Sequence, residues 1–308
     1  MLWYTILSFI PTFIATPKIA KFLGERGITG VDVHKEEKPD IPEMGGISVF
    51  IGIFAGFTLI FFSSRDLRVL SAFATIFVLF GVGVLDDLRG ISQKTKVFLS
   101  LFAGLFLIPF VKDTSIDFLL LSIDFSYLYY LLVILGVAAA SNSTNLLAGF
   151  NGEETGLGVI STLSLITISR IFGVEISQLI LFPLLGVLLA FLKYNLYPAK
   201  VFPGDCGTLL IGGGIASAVI LGKLEFFGFL VLLPQIIEFF LKFKVRFSSK
   251  SYGPTRVKDG ILIPPKHPSL ANLLSKRFKL NEKKLVMIIW SIGGFFGSFS
   301  IILAILFR

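Results

Sequence analysis

The chain has 308 residues, of which 54% are hydrophobic and only 16% are charged, and 34 of them are Phe. This composition excludes an ordinary water-soluble globule and is typical of an integral membrane protein. The formal net charge of +8 would suggest nucleic-acid binding in a soluble protein. In a membrane protein it follows from topology, so we expect the lipid bilayer as a partner and no nucleic acid.

Apolar runs recur along the whole chain, separated by short polar connections. They predict one all-α polytopic membrane domain covering residues 1–308, with about ten transmembrane helices, although several runs are shorter than a straight span needs. The predicted spans are residues 2–16, 44–62, 69–85, 97–111, 128–140, 156–171, 178–192, 208–221, 226–243 and 285–307.

Lys and Arg residues are distributed unevenly between the two sides that these spans define. One side carries 22 of them and the other side six. By the positive-inside rule the richer side is cytoplasmic, so both termini face outward and the number of spans is even. The cytoplasmic connections are residues 17–43, 86–96, 141–155, 193–207 and 244–284. On the outer side, a loop near 112–127 is expected to form a small hairpin.

The polar residues that could do chemistry all fall on the cytoplasmic side. Asp86 and Asp87 directly follow an apolar run, where two adjacent carboxylates repel each other and lose hydration. A divalent cation, a neighbouring Lys94 or Lys96, or a role as proton acceptor would compensate for this cost. The alternative is a solvated helix end, where Asp is common.

The central stretch 141–155 interrupts two apolar runs with a cluster of polar residues. Asn142 and Asn145 are three residues apart, so on a continuing helix they share a face and could ligate a hard cation or bind a sugar hydroxyl. Gly149 and Gly152 permit a tight turn near a ligand. The polar residues around this turn are Asn151, Glu153 and Glu154. The alternative interpretation of the stretch is a helix cap followed by a turn.

Two further segments carry candidate binding residues. Asp205 precedes an apolar run, so it is either the N-cap of a helix beginning near Thr208 or a ligand for a metal such as magnesium. In the long basic loop 244–284, Lys266 and His267 lie in a proline-rich, rigid segment that suits phosphate binding. Anionic lipid headgroups would also explain most of the basic charge of this loop.

Taken in order, these motifs resemble those of the polyprenyl-phosphate N-acetylhexosamine-1-phosphate transferases. This family includes the phospho-MurNAc-pentapeptide transferases and the dolichyl-phosphate GlcNAc-1-phosphate transferases. The motifs that carry the resemblance are Pro42-Glu43-Met44-Gly45-Gly46, Asp86-Asp87, Asn142-x-x-Asn145, Phe202-Pro203-Gly204-Asp205 and the basic final loop with His267. They extend over nearly the whole chain.

The resemblance implies transfer of a sugar 1-phosphate from a UDP-sugar to a polyprenyl phosphate, with UMP leaving and Mg²⁺, or Mn²⁺ as a substitute, bridging the diphosphate. It implies that Asn145 and Asp205 hold the metal, that Asp86 and Asp87 act on the lipid phosphate, and that Lys96 contacts phosphate. Gly149 and Phe202 would sandwich the uracil, and Asn151 and Glu154 would bind the nucleoside. The residues expected to contact substrates are Asn142, Gly149, Asn151, Glu154, Phe202, Lys266 and His267.

One departure from the bacterial pattern indicates a branch of this family. Where bacterial members usually have Asp-Gly-Leu-Asp-Gly, this chain has Ala148-Gly-Phe-Asn-Gly152, followed by Glu153-Glu154, which is similar to the dolichyl-phosphate enzymes. The resemblance therefore favours UDP-GlcNAc as donor and dolichyl phosphate as carrier, in the first membrane step of glycan assembly such as protein N-glycosylation. The short final loop is typical of an archaeal or bacterial chain.

Alternatives remain at this stage. The same reaction with another UDP-HexNAc donor, or with undecaprenyl phosphate for cell-wall or polysaccharide synthesis, fits the same motifs. A polytopic transporter is a remote alternative, because it would carry ionisable residues in the middle of its helices, whereas these acids lie at one membrane boundary. Related enzymes are often dimers, so a homodimer in the cell membrane, with its active site facing the cytoplasm, is expected.

Overall fold

Long helices with short connections make up most of the chain in the computed structural model, which describes residues 1–245, 256–265 and 267–308. The helices are α1 (Leu2–Glu25), α2 (Gly46–Ser64), α3 (Leu67–Arg89), α4 (Gln93–Gly104), α5 (Leu128–Leu146), α6 (Glu153–Ile171), α7 (Glu175–Asn195), α8 (Gly204–Leu221), α9 (Glu225–Val231), α10 (Leu233–Lys244), α11 (Leu270–Arg277) and α12 (Glu282–Leu306). A 3-10 turn at Ile108–Phe110 follows α4.

Seven of the described helices are long and apolar enough to cross a membrane, counting α4 together with its 3-10 turn. The number is eight if α9 and α10, which meet at a bend of 69°, form one span. Large apolar side chains on the outside of the bundle are exposed; examples are Trp3 in α1 and Phe295 in α12. A polytopic membrane protein accounts for such exposure, because lipid covers these side chains.

The remaining two long helices, α5 and α6, coincide with the predicted spans 128–140 and 156–171. Their polar residues set them apart from the seven, since α5 ends in Ser, Asn and Thr and α6 begins with two Glu. Whether these two helices cross the bilayer stays a prediction from the sequence.

Several helices run beyond the ends that the apolar runs predicted. Helix α1 continues through Pro17 to Glu25, α3 includes Asp86 and Asp87, and α5 includes Asn145. Parts of the predicted connections are therefore helical. The physical reason is that hydropathy marks where the hydrocarbon ends, whereas backbone hydrogen bonding carries a helix on into its polar flank.

Among the residues that the structure describes, three short antiparallel hairpins lie in the connections. They pair β1 (Thr29–Val31) with β2 (Asp40–Pro42), β3 (Ser115–Asp117) with β4 (Ser122–Asp124), and β5 (Arg256–Lys258) with β6 (Ile261–Ile263). The second confirms the hairpin predicted near 112–127. The third turns at Asp259-Gly260, both with positive φ, which is a sequence signal for a hairpin that the sequence analysis did not use.

Helix α8 lies at the centre of the bundle and packs against α2, α3, α5, α6, α7 and α9. Two glycines allow the closest approaches to its first turn. A Cβ on Gly83 of α3 would lie 2.3 Å from the Cα atom of Cys206, and a Cβ on Gly46 of α2 would lie 2.3 Å from the backbone nitrogen of Gly207. Backbone therefore meets backbone at the start of α8, which fixes its position relative to α2 and α3.

We predict that Gly83→Ala destabilises the protein by about 1–3 kcal/mol, because the new methyl group would overlap backbone that cannot move away cheaply. Thermal unfolding of the purified protein in detergent measures this as a lower apparent melting temperature. The matched control is Gly81→Ala in the same helix, where a Cβ meets nothing within 4 Å. It should be neutral or stabilising, by up to about 1 kcal/mol, and an equal loss in both variants would contradict the prediction.

Candidate active site

The five predicted connections meet at one end of the bundle. The backbone of Phe202 donates to the carbonyl of Pro42 at 2.8 Å, and the backbone of Ala199 donates to the Asn151 side chain, also at 2.8 Å. In the final loop, Gly260 donates to Glu36 at 3.3 Å. Residues that are far apart in the sequence thus surround one region, as the sequence predicted.

Asp87 caps the N-terminus of α8 from a different helix. Its carboxylate accepts hydrogen bonds from the backbone nitrogens of Asp205, at 2.7 Å, and Cys206, at 3.0 Å. Helix α8 begins at Gly204, four residues before the predicted start, so the expectation that Asp205 is its N-cap is wrong. Because Asp87 satisfies the first amides of α8, the Asp205 carboxylate is available for other contacts.

Lys96 joins two carboxylates that come from different helices. Its ammonium group contacts both Asp86 and Asp205, and its side chain is only 4% exposed. Ser92 caps α4 by accepting from the backbone of Thr95 at 3.2 Å, which fixes the first turn from which Lys96 projects. The predicted neighbour Lys94 is exposed instead.

The two predicted asparagines of α5 have different surroundings. The Asn145 amide nitrogen donates to Oδ1 of Asp205 at 2.7 Å and to the hydroxyl of Thr208 at 2.8 Å. Asn142 instead donates to the carbonyl of Ala138 at 2.8 Å, within its own helix. Asn145 therefore orients Asp205, and the Oδ1 atom of Asn145 is a possible metal ligand. The buried Asn142 side chain instead bonds to its own helix.

Glu43 is a fourth carboxylate at this site, and the sequence analysis gave it no role. Burial first, and then the negative charge of Asp205, raise the pKa of Glu43 above its usual value. A Cβ on Gly30 of β1 would lie 2.8 Å from the Glu43 carboxylate, so this strand passes close to Glu43. The signal that could have found Glu43 is its place in the Pro42–Gly46 motif.

The charges of this group are unequal. The group contains four carboxylates, on Glu43, Asp86, Asp87 and Asp205. Two of them, Asp86 and Asp205, pair with the ammonium of Lys96, which is the one cation in an ion pair with this group among the described residues. Carboxylate and amide oxygens are the donors that a hard divalent cation takes. The excess negative charge and the donor types together fit such a cation beside Asp205 and Asn145.

A second group with the donor types of a metal site lies on the other side of the α5–α6 turn. Ligand atoms of Asp32, His34 and Glu282, all buried, lie within 4.8 Å of one another. Lys35 already pairs with both acids: its Nζ atom is 3.0 Å from Asp32 and in contact with Glu282. This ammonium group supplies the positive charge that a metal would bring, so the Asp205 group fits a cation better.

The residues predicted to bind the nucleoside lie around this second group. Asn151 is buried, and its backbone nitrogen and its side chain are hydrogen-bonded to other protein groups. Glu154 is buried in the first turn of α6. The backbone of Gly149 accepts from His34, whose ring stacks on Phe150 with the ring centroids 4.0 Å apart. Phe202 is half-buried beside Gly30. Asp32, Lys35 and Glu282, which the sequence analysis did not single out, complete these surroundings.

Of the two phosphate-binding candidates in the final loop, the structure describes only His267. His267 is exposed, and its backbone carbonyl accepts from the Asn272 side chain at 2.9 Å. Lys266 lies outside the described residues. The proposed phosphate contacts of this loop remain predictions.

An apolar cavity of about 260 Å³ runs along α5, between α8 and the bent pair α9–α10. Its wall on α5 extends from Tyr129 to Ser143, a length of about 21 Å at the helical rise. Near its far end, the hydroxyl of Tyr129 donates to the carboxylate of Glu225. At the other end, the α5 wall stops at Ser143, two residues before Asn145.

Comparison with known proteins identifies relatives that cover almost the whole chain. The sequence model of glycosyl transferase family 4 matches residues 69–223. A Sulfolobus acidocaldarius protein, provisionally named a UDP-N-acetylglucosamine–dolichyl-phosphate N-acetylglucosaminephosphotransferase, is 34% identical over 98% of this chain and 94% of its own length. A Saccharolobus solfataricus protein with the same provisional name is 31% identical over 97% of this chain and 95% of its own.

A bacterial relative has a different named activity. The phospho-N-acetylmuramoyl-pentapeptide-transferase of Petrotoga mobilis is 31% identical to this chain, over 94% of each sequence. The similarity therefore extends along the full length of proteins that are named for more than one donor.

We predict that His34 makes stability fall as the pH falls. Burial, and then the charge of Lys35, outweigh Asp32 and the Gly149 carbonyl and lower the pKa of His34 from 6.5 to about 4. The unfolded chain therefore takes up a proton before the folded one does, so stability is unaffected above about pH 6.5 and is lost towards pH 4. The full shift is worth about 3 kcal/mol.

Melting temperatures measured between pH 7 and pH 4.5 test this prediction. His34→Gln should show a smaller acid-induced decrease than the wild type, because Gln takes up no proton. The matched control is His267→Gln, since His267 is the other of the two histidines and is exposed. A pH dependence that is identical in the wild type and His34→Gln would contradict the prediction.

Proposed function

We propose that this chain, which belongs to glycosyl transferase family 4, transfers GlcNAc 1-phosphate from UDP-GlcNAc to a dolichyl-type polyprenyl phosphate and releases UMP. The observation that carries the proposal is the group of four carboxylates and one buried lysine at the meeting point of α3, α4, α5 and α8. This is the first membrane step of glycan assembly such as protein N-glycosylation.

The chemistry requires a site of this kind because both substrates are anions. An oxygen of the lipid phosphate attacks the phosphorus that carries the sugar, a new phosphorus–oxygen bond forms, and the bond to UMP breaks. UMP leaves with the electron pair, and the product is a polyprenyl diphosphate bearing GlcNAc. Mutual repulsion of the phosphates opposes their approach, so positive charge at the site lowers the barrier.

Four residues of the site act in this step. Asp87 is held by the amides of α8, so Asp86 is the carboxylate that orients the lipid phosphate and accepts its proton. Lys96 lies between Asp86 and Asp205 and neutralises a phosphate oxygen. Asp205 and the Oδ1 atom of Asn145 would hold Mg²⁺, or Mn²⁺ in its place. When bound, the cation supplies positive charge to the diphosphate oxygens.

The apolar cavity along α5 suits the polyprenyl chain. Its wall is almost entirely hydrocarbon, and on α5 it ends at Ser143, two residues before Asn145. A carrier lipid in this cavity would present its phosphate at Asp86 and Lys96. Its isoprene units would cover the cavity wall in place of membrane lipid.

Membrane topology follows from the same proposal. Ten spans, with α5 and α6 among them, put both termini outside and the carboxylates at the cytoplasmic face of the cell membrane, where UDP-sugars are made. The excess of Lys and Arg in the connections at this end supports that orientation. A homodimer stays a prediction.

The identity of donor and carrier rests on the named relatives. Two archaeal relatives are named for UDP-GlcNAc and dolichyl phosphate, whereas the Petrotoga mobilis relative is a phospho-N-acetylmuramoyl-pentapeptide-transferase. The second candidate is therefore the same reaction with another UDP-HexNAc donor or with undecaprenyl phosphate, and the mass of the lipid product separates the two. A transporter finds no support, because the acids lie at helix ends.

We predict that Asp86→Asn and Asp205→Asn each abolish release of UMP from UDP-GlcNAc and polyprenyl phosphate, and that removal of divalent cations does the same to the wild type. Asp117→Asn, on the exposed outer hairpin, is the matched control and should keep full activity. Purified protein, with UMP quantified by chromatography, provides the measurement. Wild-type turnover in both site variants would contradict the site assignment.

We also predict that Gly136→Leu raises the KM for polyprenyl phosphate, because the new side chain would fill the cavity at the middle of α5, where a Cβ meets only Ile220, at 3.9 Å. The KM for UDP-GlcNAc should stay within about twofold, since one added side chain acts locally. The control is Gly294→Leu in α12, where a Cβ meets nothing within 4 Å. An unchanged KM for polyprenyl phosphate in Gly136→Leu would exclude this cavity as the binding site of the polyprenyl chain.

A further inference from the structure

A buried charged cluster, here called the clasp, lies apart from the carboxylates of the active site. It consists of Asp32, Lys35, Asn151 and Glu282. These residues belong to three separate parts of the chain: the β1–β2 loop, the α5–α6 turn and the start of α12. The clasp therefore joins the first and last of these parts to the turn between them.

Asn151 is the hub of the clasp. Its backbone nitrogen donates to Glu282 at 2.8 Å, and its side-chain nitrogen donates to Asp32 at 3.1 Å. Its side-chain oxygen accepts from the backbone of Ala199 at 2.8 Å and from Lys35 at 3.3 Å. The direct nucleoside contact expected from the sequence stays a prediction, since the side-chain nitrogen of an asparagine can donate a second hydrogen bond.

Lys35 holds the clasp together by charge. Its ammonium group lies 3.0 Å from Asp32 and contacts Glu282, and both carboxylates are only 3% exposed. Removal of the lysine would leave two buried carboxylates close together without compensation, which is strongly unfavourable. The same ammonium lies 4.1 Å from the ring centre of Tyr197, in the connection that leads from α7 to Phe202 and Asp205.

The clasp is separate from the carrier side of the site. No clasp residue lines the apolar cavity along α5. The clasp instead fixes the turn that carries Phe150, on whose ring His34 stacks, and the Ala199 backbone three residues before Phe202. These segments carry Gly149, Asn151 and Phe202, the residues that the sequence analysis expects to contact the uridine part of the donor.

We infer that Lys35 and Glu282 are positioning residues for the UDP-sugar donor, acting through Asn151 on the α5–α6 turn and the α7–α8 connection. This inference rests on the proposed function for the identity of the donor. Lys35 and Glu282 contact neither substrate. They set the shape of the donor pocket and leave the carrier pocket unchanged.

Kinetics of Lys35→Met and Glu282→Gln test the inference. Each should raise the KM for UDP-GlcNAc by about tenfold, while kcat and the KM for polyprenyl phosphate stay within about twofold. The double variant should bind the donor better than Lys35→Met alone, because it removes one of the two carboxylates that the lysine had neutralised.

The matched control is the exposed pair Lys21–Glu25 of α1, whose side chains are 78% and 64% exposed. Lys21→Met and Glu25→Gln make the same chemical changes and should leave all three constants at wild-type values. A donor KM that is unchanged in both clasp variants would overturn the inference. So would an equal rise in donor and carrier KM, or a double variant weaker than Lys35→Met, because either result indicates general loss of structure.

Calorimetric titration of UDP-GlcNAc into the same proteins separates this inference from the proposed function. A wild type that binds UDP-GlcNAc but releases no UMP would refute the proposed reaction, and weaker binding by the clasp variants would still support the inference. A wild type that does not bind UDP-GlcNAc would overturn both. If Lys35→Met does not fold, Glu282→Gln, which keeps the lysine paired with Asp32, provides the same comparison.

Discussion

The first turn of α8 is the point on which the active site depends. Gly83 and Gly46 let two helices approach it backbone to backbone, and at that separation the Asp87 carboxylate reaches two free amides of α8. The helix dipole and the amides stabilise this charge, so the charge of one acid of the adjacent pair is partly compensated within the folded protein. Asp86 and Asp205 then face each other across Lys96, in an arrangement that neither helix could produce alone.

Fixed geometry of this kind is what phosphoryl transfer needs. The reaction asks the protein for little covalent chemistry, and its barrier comes largely from bringing anions together. A lysine that is already desolvated between two carboxylates keeps its position when substrates arrive, and Asn145 keeps Asp205 in one orientation. The cost of gathering carboxylates is borne by the folded protein before substrate binds, so it does not add to the barrier of the reaction.

Much of this site could be predicted from the sequence, because polar residues at the ends of apolar runs are expensive unless they have partners. That argument found Asp86, Asp87, Asn145 and Asp205, and Lys96 was among the expected compensating charges. It could not predict that Asp87 caps α8, since a cap supplied by another helix leaves no local pattern. The pairing of Lys35 with Glu282 is equally invisible, because the two residues are 247 positions apart and each has ordinary neighbours.

The clasp also has a consequence for how the protein is made. Its lysine precedes α2 and one of its acids lies at the start of α12, so the two can meet only after the ribosome has synthesised the beginning of α12. Until then the β1–β2 loop holds an acid and a lysine, and the α5–α6 turn lacks one of its acceptors. Long-range closure of this kind is a late event in folding. The donor side of the site is therefore completed last, and a nascent chain that already holds every residue of the carboxylate group is still an unfinished enzyme.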